Sequence, residues 1–174
     1  MFIRSNGWER RLSGVIESAR DVPYVLGTHD CFRVACRAVE ALTGVDLWEE
    51  WAGQYRTRGE AIALLRHYAA RGGYRPPHPN PLPACAGRGS PDVTTLSPTG
   101  RGQGEGQSVF TFAFSRLFGH DPEPMTRARR GDICEYFDRE PHLGVCQGAT
   151  VAVLGEFGLK HVPRSACSHC WLIG

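Results

Sequence analysis

Cys31 closes the run Tyr24-Val25-Leu26-Gly27-Thr28-His29-Asp30-Cys31, directly ahead of a segment with helical periodicity. A thiol gains most as a nucleophile at such a position. A helix start presents unpaired N–H groups and a partial positive charge, and both favour thiolate over thiol. His142 stands 111 residues further on and opens the strand-like run His142-Leu143-Gly144-Val145-Cys146. Sulfur and imidazole together can carry out covalent acyl transfer, the sulfur attacking a carbonyl carbon and the ring holding and returning the proton. Asp30 suits the N-cap of the helix, while its charge beside the sulfur opposes thiolate formation. His29 reads equally as a substrate contact and as an exposed turn residue. The bland reading is a half-buried thiol at Cys31 and an edge-strand residue at His142.

The remaining reactive groups carry less. Seven cysteines lie between positions 31 and 170. Their odd number, and a start at Met1-Phe2-Ile3-Arg4-Ser5-Asn6 without the features of a signal peptide, argue for small buried hydrophobes rather than a disulfide framework. Cys167-Ser168-His169-Cys170 has zinc-like spacing with His161 nearby. No second CxxC or HxxxH completes four ligands, so no metal is expected. Gly100-Arg101-Gly102-Gln103-Gly104 lacks a preceding strand and a following Lys-Ser/Thr, and is not a phosphate loop. A net charge of +2 with scattered arginines argues against a nucleic-acid partner. No apolar run approaches the roughly 20 residues of a membrane span. The chain is therefore expected to be cytoplasmic when made.

These groups need elements to hold them. Trp8 to Arg20 places Trp8, Leu12, Val15, Ile16 and Ala19 on one helical face, and Pro23 ends it. Phe32 to Leu42 repeats the pattern, with Asp30 as cap and Gly44 as stop. Thr57 and Glu60 have capping-box spacing, and the helix they open is expected to turn Ile62, Leu65 and Tyr68 inward and to fray at Gly72-Gly73. Trp48 and Trp51 fit a short turn packed on the core. A further short helix carries Val109, Phe110, Ala113, Phe114 and Leu117 and stops at Gly119. The period then changes to strands at 133–137, 143–146 and 150–154, with two more expected at 159–162 and 171–173. Helices followed by an antiparallel sheet make an α+β domain.

The stretch 76–107 is different in kind, since 13 of its 32 residues are Pro or Gly. It has little apolar surface to offset the cost of ordering it, and is expected to be a disordered insertion. Pro77-His78-Pro79-Asn80-Pro81-Leu82-Pro83 and Leu96-Ser97-Pro98-Thr99-Gly100-Arg101-Gly102 resemble the translation of a repetitive palindromic DNA element of bacterial genomes. A long surface insertion costs little loop entropy. On this reading residues 1–75 form the helical half and 108–174 complete the same domain. The alternative is a native flexible linker between two small domains.

Two segments resemble a family. Pro23-Tyr24-Val25-Leu26-Gly27 followed by Asp30-Cys31 resembles the nucleophile segment of the NlpC-type cell-wall peptidases, of the papain-like superfamily. Gly131-Asp132-Ile133-Cys134 and His142-Leu143-Gly144-Val145 resemble that family's Gly-Asp strand and histidine strand, in the same order. The compact Gly27…Asp30-Cys31 form, Tyr55-Arg56-Thr57-Arg58 and the Cys167…Trp171 ending are similar to an uncharacterised branch found among phage and prophage tail genes. The resemblance implies a papain-like fold and hydrolysis of a peptidoglycan stem-peptide amide through a thioester on Cys31, with His142 as proton carrier and no cofactor. It implies that the Cys31 N–H helps hold the oxyanion and that Tyr24 shapes the pocket. A polar residue on the next strand orients the histidine in such enzymes; Thr150 is the candidate here, with His161 as substitute. Phage tail proteins are the implied partners and tail association the implied location. Departures are Cys31-Phe32-Arg33 in place of Cys-Ser-Gly and the single Gly27 before the nucleophile. The other reading is a catalytically inactive tail-assembly or structural protein on the same fold.

Overall fold

The first helix, α1 (Trp8–Ala19), buries Leu12 and Ala19 and half-buries Trp8 and Ile16, following its apolar stripe. The computed structural model describes residues 2–70 and 109–174, so the stretch 76–107, Gly72-Gly73 and the glycine-rich 100–104 run lie outside the described residues. Helix α2 (Cys31–Thr43) is the central one, with Phe32, Val34, Ala35, Ala38, Val39 and Leu42 all in the core. Its ends are those that local signals predict. The Arg33 N–H donates to Asp30 Oδ1 at 2.8 Å, and Gly44 closes the helix at φ 79°.

Helix α3 (Arg58–Ala70) opens with a reciprocal capping box. The Glu60 N–H donates to Thr57 Oγ1 at 3.3 Å and the Thr57 N–H to Glu60 Oε2 at 3.0 Å. Its packing departs from expectation, because no residue of α3 is buried. Leu65 and Tyr68 are half-buried and Ile62 is exposed. The helix packs mainly on α4 (Val109–Phe118), and Ile62 faces a cleft. Phe114, Leu117 and Phe118 of α4 are buried, and Gly119 ends it at φ 78°. Trp48 and Trp51 are buried as read, Phe32 meeting Trp51 edge-on at 4.8 Å and Phe114 at 5.4 Å.

The strands are β1 (Glu123–Pro124), β2 (Ile133–Asp138), β3 (Glu140–Cys146), β4 (Thr150–Gly155), β5 (Gly158–Pro163) and β6 (Cys167–Trp171). They form one antiparallel sheet in the order β1-β6-β2-β3-β4-β5, which makes the chain an α+β fold. One expected strand is displaced. Pairing runs through Cys170↔Cys134 and Trp171↔Ile133 and stops there, while Ile173 is tied down by its N–H to Asp132 Oδ1 at 2.9 Å. The two-residue β1 carries too little pattern to be read from sequence.

Both faces of the sheet are covered. Ile133, Leu143, Val145, Leu154 and Trp171 join the core with α2, while Cys134, Cys146, Val151, Val153 and Cys170 form a second cluster. Two-sided burial explains why Val151-Ala152-Val153-Leu154 reads as a continuous apolar run. The six described cysteines are free, and Cys36, Cys134, Cys146 and Cys170 pack as small hydrophobes.

Candidate active site

The loop 24–31 is wound around one carboxylate. Asp30, 2 % exposed, accepts the Arg33 N–H on Oδ1 and both the Gly27 N–H (2.8 Å) and the Tyr55 O–H (2.7 Å) on Oδ2. Gly27 sits at φ 80°, and a Cβ there would lie 2.2 Å from the Tyr55 carbonyl oxygen, so the loop accepts only glycine. The Tyr24 N–H donates to the Glu156 carbonyl at 3.1 Å, joining this loop to the β4–β5 turn. These ties place Cys31 at the first residue of α2.

Cys31 and His142 line one cleft of about 250 Å³. Tyr24, Asp30 and Tyr55 border it, Phe32, Trp51 and Phe114 wall it, and Arg58 on α3 meets Glu140 on β3 across it at 2.6 Å. Burial pushes the Cys31 thiol up to about 12. The N–H of Leu143, the residue after His142, pulls the other way, Asp30 adds to the rise, and the N–H groups of Phe32 and Cys31 lower it. The helix start thus acts in the predicted direction, and Asp30 opposes it as expected, but desolvation outweighs the helix start. Burial also lowers His142 below its ordinary value, with Lys160 assisting and Glu140 and Asp138 opposing. Both shifts favour the neutral forms, a thiol at Cys31 and an imidazole at His142, over the thiolate that the helix start alone suggests. Burial, then Cys31 and Asp30, raise the Tyr24 phenol.

Neither expected orienter reaches His142. The start of antiparallel β4 lies beside the end of β3, where Cys146 pairs with Val151, whereas His142 is near the start of β3. That leaves Thr150 more than ~12 Å along the sheet at 3.3 Å per residue. His161 pairs with Ala152, which in turn pairs with Val145, and so stands two strands away. Thr150 Oγ1 and His161 Nδ1 lie 3.4 Å from each other instead. The Asp138 backbone makes a small contribution favouring the charged ring of His142, and the cross-strand partner Tyr136 stands with its ring centroid 6.4 Å from that of His142. His29 is half-buried, outside the cleft lining, with Nε2 lacking a hydrogen-bond partner among the described residues. Burial, then Arg37, lower it.

Sequence reasoning missed the roles of Tyr55, Arg58 and Glu140. The first two lie in the Tyr55-Arg56-Thr57-Arg58 motif, which was the available signal, and Glu140 had none. Among the described residues, no three His, Cys, Asp or Glu side chains are grouped to hold a metal ion, and no helix is long and apolar enough to cross a membrane.

No curated protein and no solved structure matches the chain. A family sequence model does match, over residues 3–89 and 101–173, and its break falls inside the Pro/Gly-rich stretch. By that match over most of its length, the chain belongs to the family described as a domain of unknown function, DUF6950.

Proposed function

We propose that this protein is a phage-derived cysteine amidase or endopeptidase of the papain-like, NlpC-type layout, opening a peptidoglycan stem-peptide amide through a thioester on Cys31. One observation carries the reading. Cys31 at the start of α2 and His142 at the start of β3 line the same cleft, although 111 residues separate them. The order of helices then antiparallel sheet, with α2 laid on β3, supports the papain-like arrangement.

The chemistry follows from the charge states. Neutral His142 is free to accept the thiol proton as the sulfur attacks the carbonyl carbon, so the nucleophile forms during attack rather than resting as thiolate. The Cys31 N–H, at the first turn of α2, faces the developing oxyanion. His142 then returns the proton to the leaving amine as the C–N bond breaks, and water hydrolyses the thioester.

A second reading, a non-catalytic tail-assembly component, draws on the thiol at about 12 and on the lack of a side-chain orienter among the described residues. Release of fragments from purified muropeptides by wild type, Cys31→Ala and His142→Ala separates the two. Loss of release in both variants is expected. Equal release by Cys31→Ala would contradict the enzyme, and no release by any of the three, with tail proteins co-purifying, would favour assembly.

A further inference from the structure

The cleft beside Cys31 offers little to a charged group. Its walls are Leu26, Phe32, Trp51, Leu65, Phe110 and Phe114. The Asp30 carboxylate already accepts three hydrogen bonds, one of them from the Tyr55 hydroxyl. Arg58 and Glu140 satisfy each other at the mouth, their side chains 65 % and 43 % exposed. Asp30 is the one charged side chain of the described lining without an ion pair, and it is negative. A carboxylate entering the cleft would lose its water beside that charge. An apolar group gains about fourfold in binding for each methylene buried.

We propose that this cleft is an acyl-side subsite, which takes an apolar acyl group and presents its carbonyl to Cys31. The polar remainder of the substrate leaves past the Arg58–Glu140 pair. The inference rests on the thiol-hydrolase reading and sharpens it: the scissile bond follows an apolar acyl group, not a glutamyl one. At about 250 Å³ the cleft is smaller than the roughly 300–1,000 Å³ pockets of drug-sized ligands, so it holds one side chain or a short chain. In the reaction a new C–S bond forms between Cys31 Sγ and the acyl carbon, and the thiol proton passes to His142. The acyl–leaving-group bond breaks as that proton moves on to the leaving group, and water releases the carboxylic acid and restores the thiol.

The test uses the whole chain and one leaving group throughout. The p-nitrophenyl esters of acetic, butanoic, hexanoic and octanoic acids are compared with those of N-acetylphenylalanine and of N-acetylglutamate linked through its γ-carboxyl. Adducts on Cys31 are read by mass spectrometry. Initial acylation kcat/KM is expected to rise about fourfold per methylene until the cleft is full, with phenylalanyl above γ-glutamyl. Ala61→Phe is expected to stop the rise at a shorter chain; Ala61 lines the cleft on α3 and is only partly buried against the core, so an unchanged thermal melt of the variant accompanies the comparison. A flat profile, or preference for γ-glutamyl, with Cys31 acylated overturns the subsite and leaves the hydrolase. Absence of any Cys31 adduct overturns both.

Discussion

Asp30→Ala takes away the carboxylate around which the loop 24–31 is wound, and the loss can be counted donor by donor. The Arg33 N–H loses its cap, at a cost of about 1 kcal/mol. The Gly27 N–H and Tyr55 O–H are left without their acceptor in a buried place, at about 1–3 kcal/mol each. Water entering the new space offsets part of this, so destabilisation of about 3–4 kcal/mol is expected. Tyr55→Phe removes one donor and leaves Asp30 Oδ2 still holding the Gly27 N–H, so about 1–1.5 kcal/mol is expected. The two changes share a hydrogen bond, and the Tyr55→Phe cost should shrink by about 1 kcal/mol in the Asp30→Ala background. Urea unfolding followed by tryptophan fluorescence measures all four proteins, since Trp48 and Trp51 lie buried beside this loop. If Asp30→Ala stays within about 1 kcal/mol of wild type, or if the effects simply add, the carboxylate does not organise the loop.

Gly27→Ala forces a side chain onto φ 80° with its Cβ 2.2 Å from a backbone oxygen, so a loss of about 2–4 kcal/mol is expected. An unchanged thermal melt would contradict the loop geometry. The pH profile of kcat/KM should fall only below pH 6.5, where His142, lowered by burial, takes up a proton and ceases to be a base. It should show no rise near the ordinary thiol value of about 8.5, because Cys31 is pushed to about 12. An acid limb above 6.5, or a step near 8.5, would show that the cleft is wetter than its geometry indicates. Glu140→Gln breaks an exposed ion pair and should shift stability by less than about 1 kcal/mol in the same urea assay.

What the sequence revealed and what it hid divide along the range of the interactions. Asp30, Gly44 and the Thr57–Glu60 pair act within one helical turn, so the ends of α2 and the start of α3 were legible. The same locality made Cys31 conspicuous. Burial is not local, and the desolvation that overrides the helix start at Cys31 depends on packing of α3, α4 and β3 that no window of residues displays. The orienter of His142 was sought among side chains of neighbouring strands, but antiparallel register carries Thr150 to the far end of β3. Arg58 and Glu140 lie 82 positions apart, and only the fold makes them partners across the cleft.

Under the proposed function Cys31 and His142 act as one unit, and acyl transfer from p-nitrophenyl butanoate to Cys31 reads that coupling at the sulfur itself. The adduct is followed by mass spectrometry of the Cys31 peptide in wild type and His142→Ala, with half-buried Cys167 as internal reference. An adduct on Cys31 well ahead of Cys167 is expected, slowed by about 10²-fold or more in His142→Ala. Equal acylation of Cys31 with and without His142, or a Cys31 no more reactive than Cys167, would contradict it.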